Sequence, residues 1–327
     1  MAPTLLDSHK ALSSSDPGAA LLLSQQAPSF LSRSASRPGF PSLLSSAHEN
    51  SDQWAAYEQL LFACLRTGDD KSAYLCLDRL TERFGPSNER VMGLRGMYQE
   101  AIAGDTAALE NVLHEYEKIL SENPVNVPIL KRRVAILRSM SRNAEAISAL
   151  VEFLEAFPTD AEAWCELADL YQAQGMSSQA IFCLEEALLI APNSWNLHAR
   201  LGELQYISAV SSPSESQETS QRLLASSVRQ FCRSVELCDD YLRGFYGLKL
   251  ASSRLLGSLL PTRSSADGSG KGDDELPATE TLERLNNLAT RKLEDIVKSR
   301  CSNTREWQES QGELIAAQEL LNRRDNL

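Results

Sequence analysis

From about residue 51 to residue 256, apolar positions recur every three or four residues, in runs long enough for helices of three to four turns. Leu60, Leu61 and Cys64 make one such run; Ala73, Leu77 and Leu80 make the next. Glu89–Ala103 reads as a helix, with Gly96 as a small residue on its inner face. Tyr116 and Ile119 mark its successor. Leu130, Val134 and Leu137 precede Ala146, Leu150 and Phe153. Gly, Asn, Asp and Pro gather in the breaks, where helices stop. The pattern predicts an all-α chain of helix pairs.

The pattern also repeats at a longer interval. Pro124, Pro158 and Pro192 lie 34 residues apart, and so do Ala146 and Ala180. That is the period of the tetratricopeptide repeat, a pair of antiparallel helices, A and B, that stacks into a right-handed α-solenoid. One copy is nearly complete. Trp164, Leu167, Ala168 and Tyr171 have the spacing of its helix A, and Ala180, Leu184, Ala187 and Pro192 that of helix B and its exit. Ala168 and Ala180 are small where the two backbones must approach. Trp164, Leu167, Tyr171 and Leu184 are large where successive pairs leave gaps. Gly175 supplies the A–B turn, because glycine accepts a positive φ. Each proline ends a helix, since it lacks an N–H and disfavours helix in the residue before it.

The flanks are less regular. Leu201-Gly202 begins a further helix A, but its partner, with Ser227, Phe231 and Ser234, comes late. The intervening Ser208–Ser220 therefore reads as an inserted loop. A last helix A spans Leu242–Leu256, with Phe245 and Leu248 inside. The resulting organisation is a serine-rich, partly ordered leader over 1–50, a repeat region over 51–256, a flexible linker over 257–278, and amphipathic helices over 279–327. One stripe of the last region is Leu282, Leu285, Ala289, Leu293 and Ile296; another is Trp307, Leu314, Gln318 and Leu321. These helices either cap the open end of the repeat stack or dock a partner subunit. Ser32–Arg37 also has the local look of a transit peptide, which Asp7 and Asp16 oppose.

Composition narrows the function. A formal charge of −12 over 327 residues argues against a nucleic-acid backbone as the main ligand. The seven cysteines form no CxxC, and the four histidines have no metal-ligand spacing, so neither a metal nor a cofactor is expected. No apolar run reaches the length of a membrane span. Gly268-Ser269-Gly270-Lys271-Gly272 resembles a phosphate loop only briefly, since no Ser or Thr follows the lysine and no strand precedes it. No nucleophile–base motif is present, and an enzyme is not expected. The candidate contact residues are Lys131, Arg132, Arg138 and Arg142. At about 100° per residue, Lys131, Arg138 and Arg142 share one stripe, which is either a seat for an acidic partner segment or anionic head groups, or a solvated helix face. Helix A of the best repeat instead carries Glu162, Glu166 and Asp169, the wrong sign for gripping a peptide carboxylate.

Several strings go beyond a generic repeat: Trp54-Ala-Ala-Tyr57-Glu58-Gln59-Leu60, Arg90-Val91-Met92-Gly93-Leu94-Arg95-Gly96-Met97, Asp160–Tyr171 and Phe182-Cys183-Leu184-Glu185-Glu186. Over about residues 51–256 the chain resembles subunit 2 of the endoplasmic reticulum membrane protein complex. Its leader is most similar to fungal versions. The leader, the Ser208–Ser220 insertion and the linker depart from the compact family pattern. The resemblance implies a non-catalytic subunit on the cytoplasmic face of the endoplasmic reticulum, peripheral to the membrane. Such a subunit braces membrane-embedded and cytosolic partner subunits of an insertase for tail-anchored and multi-pass membrane proteins. The rival expectation is a free co-chaperone or import receptor for client peptides.

Overall fold

The computed structural model describes residues 17–35, 51–211, 216–259 and 276–322. Among them are fourteen helices and no strand. In chain order these are α1 (Pro17–Ala35), α2 (Ser51–Thr67), α3 (Asp70–Phe84), α4 (Glu89–Ile102), α5 (Thr106–Glu122), α6 (Val127–Ser139) and α7 (Asn143–Ala156). They continue as α8 (Ala161–Ala173), α9 (Ser177–Ile190), α10 (Trp195–Ser211), α11 (Gln217–Leu237), α12 (Leu242–Leu259), α13 (Thr279–Ser302) and α14 (Thr304–Asn322). They form two units, residues 1–149 and 150–327, with the division inside α7.

Helix starts follow from local chemistry. Asn126 and Asp160, 34 residues apart, both serve as N-caps: Asn126 Oδ1 accepts the Ile129 N–H at 3.2 Å, and Asp160 Oδ1 the Ala163 N–H at 3.0 Å. Each such cap satisfies a donor that the helix cannot pair, worth about 1 kcal/mol. The A–B turns repeat too. Gly175 has φ +74°, and Ser141, 34 residues earlier, adopts φ +60°. The turn thus demands a left-handed residue, whichever residue stands there.

In the first unit, α2 and α3 pack as a pair and α4 stacks on α3 and α6. Tyr57, Leu60, Leu61, Cys64, Ala73 and Cys76 form its core. The leader contributes more than the sequence suggested. Helix α1 packs on α2 and α3, burying Ala27 and Leu31 in that core, and Thr67 Oγ1 donates to Ser24 Oγ at 2.8 Å. The stripe Ala20, Leu23, Ala27 and Leu31 closes the apolar end that a first repeat would leave in water. The remainder of the leader lies outside the described residues.

In the second unit, α8/α9, α10/α11 and α12/α13 are successive pairs, with α14 laid against α13. Ala168 and Ala180 are buried, as the close approach requires, together with Leu167, Leu184 and Ala187. Trp164 donates from its indole nitrogen to the Pro158 carbonyl at 2.9 Å, tying the helix to the preceding turn. The inserted loop needs correction. Helix α10 runs through Ser211 and α11 begins at Gln217, so most of Ser208–Ser220 extends two helices and only 212–215 lies outside the described residues. The added first turn of α11, Gln217–Thr219, is helical but exposed, and burial of that helix begins at Gln221, Leu224 and Ala225. Helix α12 likewise continues through Leu259, into the span read as linker, and residues 260–275 are outside the description.

The C-terminal stripes join the second core. Leu282, Ala289, Leu293, Ile296 and Leu314 are buried with Phe245, Leu248 and Leu255. Helix α13 is thus helix B to α12. Polar groups align the two: Lys249 Nζ donates to Thr290 Oγ1 at 2.8 Å, and Asn286 Nδ2 donates to Ser253 Oγ at 2.6 Å and to the Lys249 carbonyl at 3.2 Å.

Candidate protein-interaction surface

Stacked pairs bring equivalent positions of neighbouring repeats side by side, and an arginine in one repeat meets an acid in the previous one. Arg90 pairs with Glu58, Arg132 with Glu100, and Arg200 with Asp169. All three pairs link one helix A to the next. Arg142, just before α7, meets Glu110 of α5 in the same manner at 3.0 Å.

The four candidate contact residues all lie in the first unit, and two of them, Arg132 and Arg142, belong to this ladder. Arg132 is half-buried. Its Nε donates to Glu100 Oε1 at 2.9 Å, and its Nη2 also pairs with Glu100. Tyr116 Oη donates to that same carboxylate at 2.5 Å. Burial, then the Glu100 charge, pushes the Tyr116 phenol pKa up, which keeps it protonated as a donor. Arg142 is shared between Glu110 and Glu145, whose carboxyl it holds below its usual range. Lys131 is half-buried and Arg138 exposed, and both have interactions within the chain. The structure therefore uses Arg132 and Arg142 to connect successive repeats, a role the one-dimensional stripe did not reveal. The signal was present as acids 32 residues upstream, Glu100 and Glu110.

The second unit holds a groove of about 660 Å³ lined mainly by α8, α10, α12 and α14, and reached also by Leu184 of α9 and Phe231 of α11. Tyr206, Ile207, Tyr241, Tyr246 and Leu250 supply its apolar wall. Phe231 lies between Gly202 and Gly247: a Cβ at position 247 would come within 2.1 Å of the ring, and one at 202 within 3.1 Å. The glycines let α10 and α12 close on the ring from both sides.

The groove's charges are internally matched. Arg200 donates to Asp169 at 3.1 Å, to Glu203 at 2.8 Å and to the side-chain oxygen Oε1 of Gln172 at 2.5 Å. Across the mouth, Arg243 donates from Nε and Nη2 to Glu313 Oε1 of α14, at 2.9 and 2.6 Å. Burial, then Asp169, pushes the Cys165 thiol up to about 11, the opposite of an activated nucleophile. Tyrosines over an apolar floor with prepaired charges suit a polypeptide segment. Among the described residues, no group of three His, Cys, Asp or Glu is arranged to hold a metal ion.

Helix pairs with 34-residue capping, turn and packing periods define a tetratricopeptide-repeat protein, an all-α solenoid class. Residues 84–221 match the family described as the EMC2 TPR-like repeat domain. The TPR repeat protein oca3 of Schizosaccharomyces pombe is 37% identical over 242 residues, covering 73% of this chain and 81% of that one. ER membrane protein complex subunit 2-B of Xenopus laevis is 34% identical over 201 residues, 62% of this chain and 63% of that one. The chain belongs to the EMC2 family of tetratricopeptide-repeat proteins. Among solved structures, the C-terminal part of a TPR repeat-containing protein from Cytophaga hutchinsonii superposes with a TM-score of 0.49 at 10% identity, covering 90% of this chain and 99% of that one.

Proposed function

We propose that the chain is a non-catalytic scaffold subunit of the endoplasmic reticulum membrane protein complex. On this reading it sits at the cytoplasmic face and braces membrane-embedded and cytosolic subunits during insertion of tail-anchored and multi-pass proteins. The observation that carries the reading is the groove of the second unit, apolar in its wall and satisfied in its charges, which suits a docked partner segment better than a reaction. The names of the relatives supply the assembly. No helix among the described residues is long and apolar enough to cross a membrane, so membrane association would run through partners.

The test is gentle-detergent purification of the tagged chain from its native cells, followed by mass spectrometry of what co-elutes. Stoichiometric recovery of a fixed set of membrane proteins is expected, and Ile207→Glu with Tyr246→Ala should release part of that set without lowering the melting temperature appreciably. A free monomer carrying only substoichiometric chaperones would overturn the reading in favour of a client-binding co-chaperone.

A further inference from the structure

Helix α9 has two faces. Ala180, Cys183, Leu184 and Ala187 are buried, and Leu184 reaches the groove. On the opposite face Phe182 is 53% exposed and Leu189 76% exposed. Seven residues apart, they lie two turns along one line, about 10 Å from each other. Trp164 meets Phe182 edge-on at 6.2 Å and widens the apolar strip. Glu185 and Glu186 fall between the two, one on either side of the line.

These acids differ from those of the inter-repeat ladder. Glu58, Glu100, Glu110 and Asp169 each hold an arginine, whereas neither Glu185 nor Glu186 has an ion pair among the described residues. Burial, then the Glu186 charge, raises the Glu185 carboxyl, so a nearby cation would be favoured there. Phe182 and Leu189 are too exposed to provide the enclosure a small molecule needs. Two uncompensated carboxylates repel an anionic lipid surface and a nucleic-acid backbone alike. In a two-fold dimer through this face, the same carboxylates would confront one another. What satisfies both the apolar line and the acids is a helix with its own apolar line, bracketed by cations.

We propose that the outer face of α9 docks an amphipathic helix of another protein, with apolar residues two turns apart seated on Phe182 and Leu189 and flanking Lys or Arg side chains meeting Glu185 and Glu186. The proposal rests on the reading of the chain as an assembly subunit, but concerns a face separate from the groove.

The test places the photocrosslinker p-benzoylphenylalanine at position 182 and, separately, at 189 of the full chain in its own cells, then sequences the joined peptide. Both positions should join one helical segment of another protein, with apolar residues seven apart and Lys or Arg beside them. Glu185→Lys with Glu186→Lys should cut the yield roughly tenfold, and changing the facing basic residues to Glu should restore it. Adducts to a second copy of this chain, to lipid or to an acidic segment would overturn the proposal. So would no adduct at either position. The crosslinker at Tyr206 reports on the groove independently, so loss at 182 and 189 alone leaves the scaffold reading standing.

Discussion

Tyr116 lies across Gly96 so closely that a Cβ on Gly96 would stand 2.1 Å from the phenol oxygen. The missing side chain on α4 is what admits the ring from α5 and lets its hydroxyl reach Glu100. Gly96→Ala should destabilise the first unit by about 2–3 kcal/mol, the overpacking cost exceeding the gain in helix propensity. Tyr116→Ala should cost about 3–5 kcal/mol by itself. In the double variant the clash is gone, so the two costs should fall short of additive. Urea titrations of the three variants give the coupling directly.

The ladder makes a graded prediction. Arg132→Ala strands the mostly buried Glu100 carboxylate and should cost about 1–3 kcal/mol, discounted for partial exposure. Arg90→Ala removes an exposed arginine and should cost under about 1 kcal/mol. Equal losses in chemical denaturation would show that burial does not set the worth of these pairs.

Ala168→Arg or Ala180→Arg introduces a long charged side chain where the wild-type methyl is buried. Either should destabilise the second unit by about 4 kcal/mol or more, through overpacking and an unpaired buried charge. Unchanged thermal melting would place the helix contact elsewhere.

The buried thiols predict alkaline sensitivity. Cys76 is pushed from 9.0 up to about 12 by burial, then by Cys64; Cys183 is raised to about 11 by burial, then by Glu186. Because the folded values lie above the unfolded one, the folded state holds protons that the unfolded chain has lost. Their stabilising effect is complete below about pH 9 and is lost as pH rises toward 11 and 12. Stability should fall by up to about 1.4 kcal/mol per pH unit for each thiol across that window. Melting temperatures from pH 8 to 11 test this, and replacing Cys76 with Ala should flatten the slope.

Much of this was written in the chain itself. The 34-residue interval, Ala168 and Ala180 at the close contact, Gly175 in the turn and the stripes of α13 were legible because local periodicity and backbone preference act over a few residues. The family strings were legible for the same reason, as fixed spacings. Three features were decided only by tertiary structure. Helix α1 is serine-rich and ambiguous alone, and gains its reason to exist by covering α2 and α3. The polar 208–220 stretch is mostly helical because it continues helices anchored on either side of it, by Ser208 buried in α10 and by Gln221, buried in α11 and donating to the Ser258 carbonyl of α12, so packing overrides weak propensity. Whether Arg132 and Arg142 face a partner or the preceding repeat depends on which acids stacking brings within a few ångströms, and that distance is absent from any single helix. A sequence carries the period of its repeats, whereas surface charge and grooves arise only when those repeats are laid side by side.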